Sequence, residues 1–293
     1  MRITCREPYD FTLSWGVFCA FAGRHASPDG ALAMWWHDRP TAVFLHQGSL
    51  RPPVLDVVTE PFPGQSELFR ARLRGILHAD LDLKPFYAMA QEHPVTRGII
   101  SDLHGLKPIR PTEIFQMMVI AFSEQQVSMA AARSIRERIL QAFGAPVRGL
   151  TAFPRPGDLA GRDIDALRSC GLSARKAGYI LHHAAAMADG DIDPAAWEGM
   201  ADEELVRSLC ELPGVGRWSA EYIALRGLGR MDVVPASDLG VRRAVGAYLA
   251  GGGVLSEAEV RDVLKDWSPW RGLLAFYLLA HQRRSQMGLD QAQ

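Results

Sequence analysis

The stretch ELPGVGRWSAEYIALRG, residues 211–227, sets two glycines one residue apart behind a proline, between segments that otherwise carry a helical apolar pattern. Glycine inside a helix costs about 1 kcal/mol relative to alanine, so Gly214 and Gly216 do not belong to one uninterrupted helix. The preceding DEELVRSLC, residues 202–210, puts Leu205, Val206 and Leu209 on one face and its acids in the first turn, as a helix does. A second helix opens at Arg217. Pro213, Gly214, Val215 and Gly216 therefore turn the chain through a tight hairpin, inside a helix–hairpin–helix unit over 205–227. With no side chains at Gly214 and Gly216, the amides there and at the start of the second helix come close to a ligand and suit a phosphate oxygen. A plain helix–helix corner is the competing reading, but it needs only one glycine.

The chain around this unit has 293 residues, 48% of them hydrophobic, which is enough apolar material for the cores of two or three modest domains. No run of eighteen apolar residues occurs, and MRITCREPYDF at the N-terminus lacks the basic-then-apolar order of a signal peptide. A cytoplasmic protein without membrane partners is expected. Cys5, Cys19, Cys170 and Cys210 are scattered, so they read as buried, reduced thiols and not as a zinc or iron–sulfur site. The net charge of −1 argues against a uniformly basic surface. A local basic face remains open, because Arg217, Arg226, Arg230, Arg242 and Arg243 outnumber Glu221, Asp232 and Asp238 between residues 213 and 244. Those arginines are equally compatible with solvated helix faces.

Three short runs rich in β-branched and aromatic residues, ALAMWWHD (31–38), TAVFLHQG (41–48) and PPVLDVVTE (52–60), are separated by Gly, Pro and Asp and predict an antiparallel sheet. TLSWGVFCAFAG predicts an apolar helix ending at Gly23, and SELFRARLRGILHADLDL (66–83) an amphipathic one. Beyond GLKPIRP (105–111) no strand pattern is evident. Ile114, Met117, Met118 and Ala121 mark one helix, SEQQVS (123–128) interrupts it, and Ala131, Ile135, Ile139 and Phe143 mark the next, up to Gly144. Ser173 caps a helix that closes near Gly190, Ser256 and Glu259 form a capping box, and Ser268 with Pro269 opens the last helix. The predicted fold class is α+β: an N-terminal antiparallel α/β domain over 1–105, then a mainly α-helical bundle over 106–293.

Four segments together resemble the helix–hairpin–helix DNA glycosylase superfamily, and within it the 3-methyladenine DNA glycosylase II (AlkA-like) group. They are GVGRWSAEY (214–222), VVPASDLGVRRAV (233–245), SEQQVSMAAA (123–132) and GLSARKAGYI (171–180), with Trp267 to Trp270 as a fifth match. The resemblance covers roughly residues 106–284, and the N-terminal α/β part is consistent with that group's extra domain. It implies two helical subdomains with an active-site cleft between them, and base excision from damaged double-stranded DNA by a monomer. Asp238 occupies the position of the family's catalytic aspartate; on the residues alone it reads as the N-cap of the helix carrying Val241, Ala244, Val245 and Tyr248. Asp232, six positions earlier, is the competing carboxylate and fits no family motif.

Breaking an N-glycosidic bond gives the sugar oxocarbenium character, so a fixed carboxylate near the anomeric carbon stabilises the transition state. Bifunctional members attack with a lysine two residues after the hairpin's last glycine, and here that residue is Trp218. Only Lys84, Lys107, Lys176 and Lys265 exist, none between the hairpin and Asp238, so a monofunctional enzyme using water is expected. Trp218 and Tyr222, spaced i, i+4, share a helix face, and with Trp270 they are the expected walls of a base pocket suited to a cationic, alkylated purine. A core role is the alternative for all three. Gln126 stands where the family places its wedge, with Gln125 supporting it; either is alternatively an ordinary loop amide. The hairpin, from Pro213 to Arg217, is expected on the DNA backbone, and the resemblance adds a structural Na+ or K+ on the carbonyls of Leu212 and Val215, with no cofactor for the chemistry. A non-catalytic DNA-binding module and a glycosylase for oxidised or deaminated purines are the rival functions.

Overall fold

A computed structural model describes residues 1–22, 25–60 and 66–286. Strands β1 (Arg2–Thr4), β2 (Ala26–Ser27), β3 (Ala31–Trp36), β4 (Arg39–Leu50) and β5 (Pro53–Glu60) form one antiparallel sheet in the order β1-β5-β4-β3-β2. The three expected runs are β3 to β5. The two short edge strands carry too few residues for an alternating pattern to stand out. Side chains alternate along β3: Leu32 and Met34 join a core with α1 (Phe11–Ala22) and α2 (Ser66–Ile76), while Ala33 and Trp35 face the other way. The stop expected for α1 at Gly23 lies outside the described residues.

The helical part begins with α3 (Lys84–Gln91), α4 (Pro94–Asp102), α5 (Ile114–Glu124) and α6 (Met129–Phe143). A two-stranded hairpin, β6 (Ala145–Val147) and β7 (Leu150–Ala152), follows and corrects the expectation of no further strands. Its strands are three residues each, below what periodicity detects, although Arg148 and Gly149, both with positive φ, supply the two-residue turn such a hairpin needs. The hairpin covers the second face of the sheet, where the Trp35 Nε1–H donates to the Phe153 carbonyl at 2.7 Å.

Helices α7 (Pro156–Leu159), α8 (Ile164–Arg168), α9 (Ala174–Asp189), α10 (Asp202–Cys210), α11 (Arg217–Tyr222), α12 (Leu239–Leu249), α13 (Glu257–Leu264) and α14 (Arg271–Gln286) complete the chain. Local signals act as expected at Ser173, which accepts a hydrogen bond from the Lys176 amide, and at the Ser256–Glu259 capping box, and Ser128 caps α6 in the same way by accepting from the Ala131 amide. The last helix differs. It starts at Arg271, because Ser268 and Arg271 both turn to Asp232: the Ser268 hydroxyl donates at 2.9 Å and the Arg271 guanidinium at 2.6 Å.

Two apolar cores divide the helices. One joins α5, α6, α9, α10 and α11; the other joins α3, α4, α12, α13 and α14. The predicted boundary at residue 105 therefore does not divide the cores. Phe86, Ile99 and Leu103 pack with Val241, Leu273 and Tyr277, and the Tyr277 hydroxyl donates to the Leu106 carbonyl at 2.6 Å. No helix is expected from the sequence between residues 84 and 104, and α3 and α4 fill that interval. Of the four cysteines, Cys5 and Cys170 are buried, Cys19 is partly covered and Cys210 is exposed, against the expectation that all are buried. Among the described residues no helix is long and apolar enough to cross a membrane.

Candidate active site

Between the two helical cores opens a cavity of about 1970 Å³, walled on its third side by α1. Asp238 lines it as the N-cap of α12. Its Oδ1 accepts the Val241 amide at 3.0 Å and its Oδ2 accepts the Trp218 Nε1–H at 3.0 Å. A carboxylate has about four lone-pair sites, so these two donors fix its plane and leave acceptor capacity towards the cavity. No cation binds it directly among the described residues. Asp232 is the opposite case. Burial pushes its carboxyl up, but Arg271 and Ser268 outweigh this and hold it below the ordinary range, and it does not line the cavity.

Trp218 and Tyr222 stack on each other with ring centroids 5.4 Å apart and planes at 29°, and both line the cavity. The helical spacing that places them on one face is thus realised. Trp270 is a correction: its ring lies outside the cavity, 6.3 Å from Phe86 within the second core. Because α14 begins after Trp270 and not before it, the indole points back to α3. Phe276, one turn into α14, lines the cavity instead, with the Arg226 guanidinium 4.8 Å over its ring.

Helix α11 is short because the chain passes into a π-turn at Ile223–Gly227, a departure from α-helix that often marks a functional site. This turn aims Arg226 into the cavity, where burial lowers its pKa. Of the five arginines grouped in the sequence, only Arg226 and Arg243 reach the cavity. Arg217 pairs with Glu221 at 2.9 Å, Arg230 with Asp202 and two backbone carbonyls, and Arg242 with the Leu255 carbonyl. Arg175, Lys176, Arg283 and Arg284 complete a basic lining that the sequence grouping did not single out.

The interrupted helix and the glycine hairpin meet here. Gln125 donates from Nε2 to the Gly214 carbonyl at 3.1 Å and to the Ser219 hydroxyl at 3.0 Å, while Lys176 donates from Nζ to the Gln125 carbonyl at 2.5 Å. Gln126 is exposed and held at φ 55°, a left-handed conformation that turns it out of the loop. Within the hairpin Val215 is buried and donates its amide to the Leu212 carbonyl at 3.0 Å, and His183 Nε2 binds the Pro213 carbonyl at 2.8 Å. The two glycines have different reasons. Gly214 has φ 79° and a Cβ there would run into the Tyr179 ring, whereas a Cβ on Gly216 would meet nothing within 4 Å. Internal packing explains the first glycine only.

A glycine hairpin hydrogen-bonded to the loop of an interrupted helix, and a capped aspartate beside stacked aromatics in a cleft between two helical cores, define a class. The chain belongs to the HhH-GPD superfamily of base excision DNA repair proteins, whose profile matches residues 119–269. It is similar to a 3-methyladenine DNA glycosylase from Archaeoglobus fulgidus, with a TM-score of 0.84 and 25% identity over 97% of this chain and 98% of that one. DNA-3-methyladenine glycosylase 2 of Escherichia coli is 30% identical over 60% of this chain and 59% of its own length. Bacillus subtilis YfjP is 28% identical over 62% of this chain and 63% of its own. The match thus spans about three fifths of each of these two curated relatives.

Proposed function

We propose that this chain is a monofunctional DNA glycosylase that everts an alkylated purine, of the 3-methyladenine or 7-methylguanine type, from duplex DNA and hydrolyses its N-glycosidic bond. The observation that carries the reading is Asp238, fixed by Trp218 and Val241 and facing a cleft walled by the Trp218–Tyr222 stack. The carboxylate stabilises the oxocarbenium character that develops on the sugar and orients or deprotonates the attacking water. The stacked rings favour a cationic base by about 0.5–2 kcal/mol. N-alkylation has already weakened the bond, so the modest chemistry of one carboxylate and water is enough and no cofactor is required. Lys176 reaches the cleft, but its amine is tied to the Gln125 carbonyl, which suits a tether better than a nucleophile.

In the same reading Gln126 fills the gap left by the everted base and hydrogen-bonds the orphaned partner, with Gln125 locking that loop to the hairpin. The amides from Gly214 to Arg217 approach a phosphate, and the basic lining from Arg175 to Arg284 attracts the backbone. The Leu212 and Val215 carbonyls are the hard oxygen donors proposed for a structural Na+ or K+, the Leu212 oxygen keeping a second lone pair beside its bond from the Val215 amide. The protein acts as a monomer.

Trp218→Ala tests the pocket. It removes the ring and one of the two donors on Asp238, so excision falls by about a hundredfold or more, while affinity for undamaged duplex changes less than threefold. Equal losses in both assays, read by single-turnover base release and fluorescence anisotropy, would assign Trp218 to the core. Gly216→Ala tests the hairpin. The empty space around its Cβ keeps the stability cost under about 1 kcal/mol, yet duplex affinity drops about tenfold, the size of one lost charge-assisted contact. Unchanged affinity would remove Gly216 from the interface.

A further inference from the structure

We propose that His183 is a positioning residue for DNA binding: bonded to the Pro213 carbonyl from inside the protein, it holds the hairpin's central peptide in the one of two turn conformations that presents the Gly214 amide to a phosphate. This rests on the proposed function, which places the hairpin on the DNA backbone, and deepens it by naming the group that sets which way the hairpin's central peptide faces.

Residues 212–215 form a β-turn. The Val215 amide donates to the Leu212 carbonyl at 3.0 Å, Pro213 takes the first central position, and Gly214, at φ 79°, takes the second, which is the type II form. Type I keeps the same closing bond and tolerates the same proline, and differs by a turn-over of the Pro213–Gly214 peptide. Glycine adopts either sign of φ, so the sequence permits both forms. This peptide is trans, so its C=O and N–H point in opposite directions. Whichever of the two faces inward, the other faces out.

His183, on α9, selects between them. It is fully buried whereas Pro213 is exposed, and its Nε2 lies 2.8 Å from the Pro213 carbonyl oxygen. A carbonyl only accepts, so Nε2 carries the proton. Burial, with His182 adding to it, lowers the pKa of the ring, in keeping with a neutral imidazole. The carbonyl is held inward and the Gly214 N–H outward, with no backbone carbonyl accepting it among the described residues. The opposite orientation would show an oxygen to the phosphate and repel it. Stability alone does not account for a histidine here, because its Nδ1 is buried without a hydrogen-bond partner, and a carbonyl released by the ring would find water at the exposed turn. Phe122 fixes the imidazole in place, stacked on it with centroids 5.4 Å apart and planes at 8°.

His183→Leu removes the donor, and His183→Gln restores one at the same reach from the backbone. Affinity for undamaged duplex is read by fluorescence anisotropy, and excision of 7-methylguanine by single turnover at saturating enzyme. His183→Leu weakens affinity about tenfold and leaves the saturated excision rate within about twofold, and His183→Gln recovers affinity to within about threefold of wild type. Unchanged affinity in His183→Leu, equal weakening in both variants, or a matching fall in the saturated rate overturns the inference. If His183→Leu does not fold, the wild type reads the contact directly: isotope labelling of proline carbonyls and glycine nitrogens isolates the Pro–Gly amides in the NMR spectrum, and the Gly214 proton moves downfield when undamaged duplex is added. A Gly214 signal that stays in place overturns the inference. Wild-type protein that neither binds duplex nor releases the base overturns the functional reading and this inference together, whereas wild type that does both beside an indifferent His183→Leu overturns this inference alone.

Discussion

Asp238→Asn lowers single-turnover excision of an alkylated base by about 10²–10³-fold while leaving a folded protein that still binds duplex DNA. Asparagine is as good an N-cap as aspartate, so the Val241 amide keeps its acceptor and α12 keeps its first turn. What is lost is the negative charge facing the cavity, where the proposed function places the sugar. The amide also has only one acceptor oxygen where the carboxylate has two, and both the Val241 N–H and the Trp218 Nε1–H now compete for it. One of those donors is left against an NH2 group, at a cost of about 1–3 kcal/mol and a melting temperature a few degrees lower. A variant that keeps wild-type excision would remove Asp238 from the chemistry. A variant that unfolds would mean that its role is the cap.

Gly214→Ala is the variant expected to cost the fold most. The residue sits at φ 79°, where alanine is strained, and its Cβ would have to displace the Tyr179 ring. Strain and overpacking together destabilise by about 2–5 kcal/mol, or roughly 5–15 °C in melting temperature for a chain of this size. The damage spreads along known contacts: the Gly214 carbonyl accepts from Gln125, and the Tyr179 hydroxyl accepts from Arg175 at 2.8 Å. Moving Tyr179 therefore loosens the Gln125–Gln126 loop and one of the cleft's basic residues at once. A melting temperature within 2 °C of wild type, read by scanning calorimetry, would show that the hairpin yields more easily than this packing allows.

What was legible in the sequence was what local chemistry decides. Two glycines behind a proline specify a hairpin wherever they stand, and an aspartate before a helical apolar pattern specifies an N-cap, so Gly214, Gly216 and Asp238 were readable from neighbours alone. Trp218 and Tyr222 were readable because i, i+4 spacing brings them onto one face. Trp270 was misplaced because the same kind of pattern says nothing about where a helix begins when Arg271 and Ser268 are drawn to a distant Asp232. That Glu124, Lys176 and Arg226 line the cavity was not readable for a related reason, although the last two stand among the lysines and the grouped arginines. Each acquires its role from a partner 12 residues away or more, or from a π-turn that no periodicity announces. The placement of α3 and α4 against α12 and α14 and the β6–β7 cover on the sheet likewise depend on tertiary fit, which a helical or alternating pattern permits but does not choose.

The most direct test of the account is product analysis on a 5′-labelled duplex carrying a single 7-methylguanine, run with and without sodium borohydride. Free 7-methylguanine, an unbroken abasic strand and no protein–DNA adduct are predicted, because Trp218 stands where a nucleophilic lysine would and the proposed function has Asp238 activate water. A borohydride-trapped adduct would contradict the hydrolytic route and point to Lys176, and intact 7-methylguanine in the strand would contradict base excision altogether.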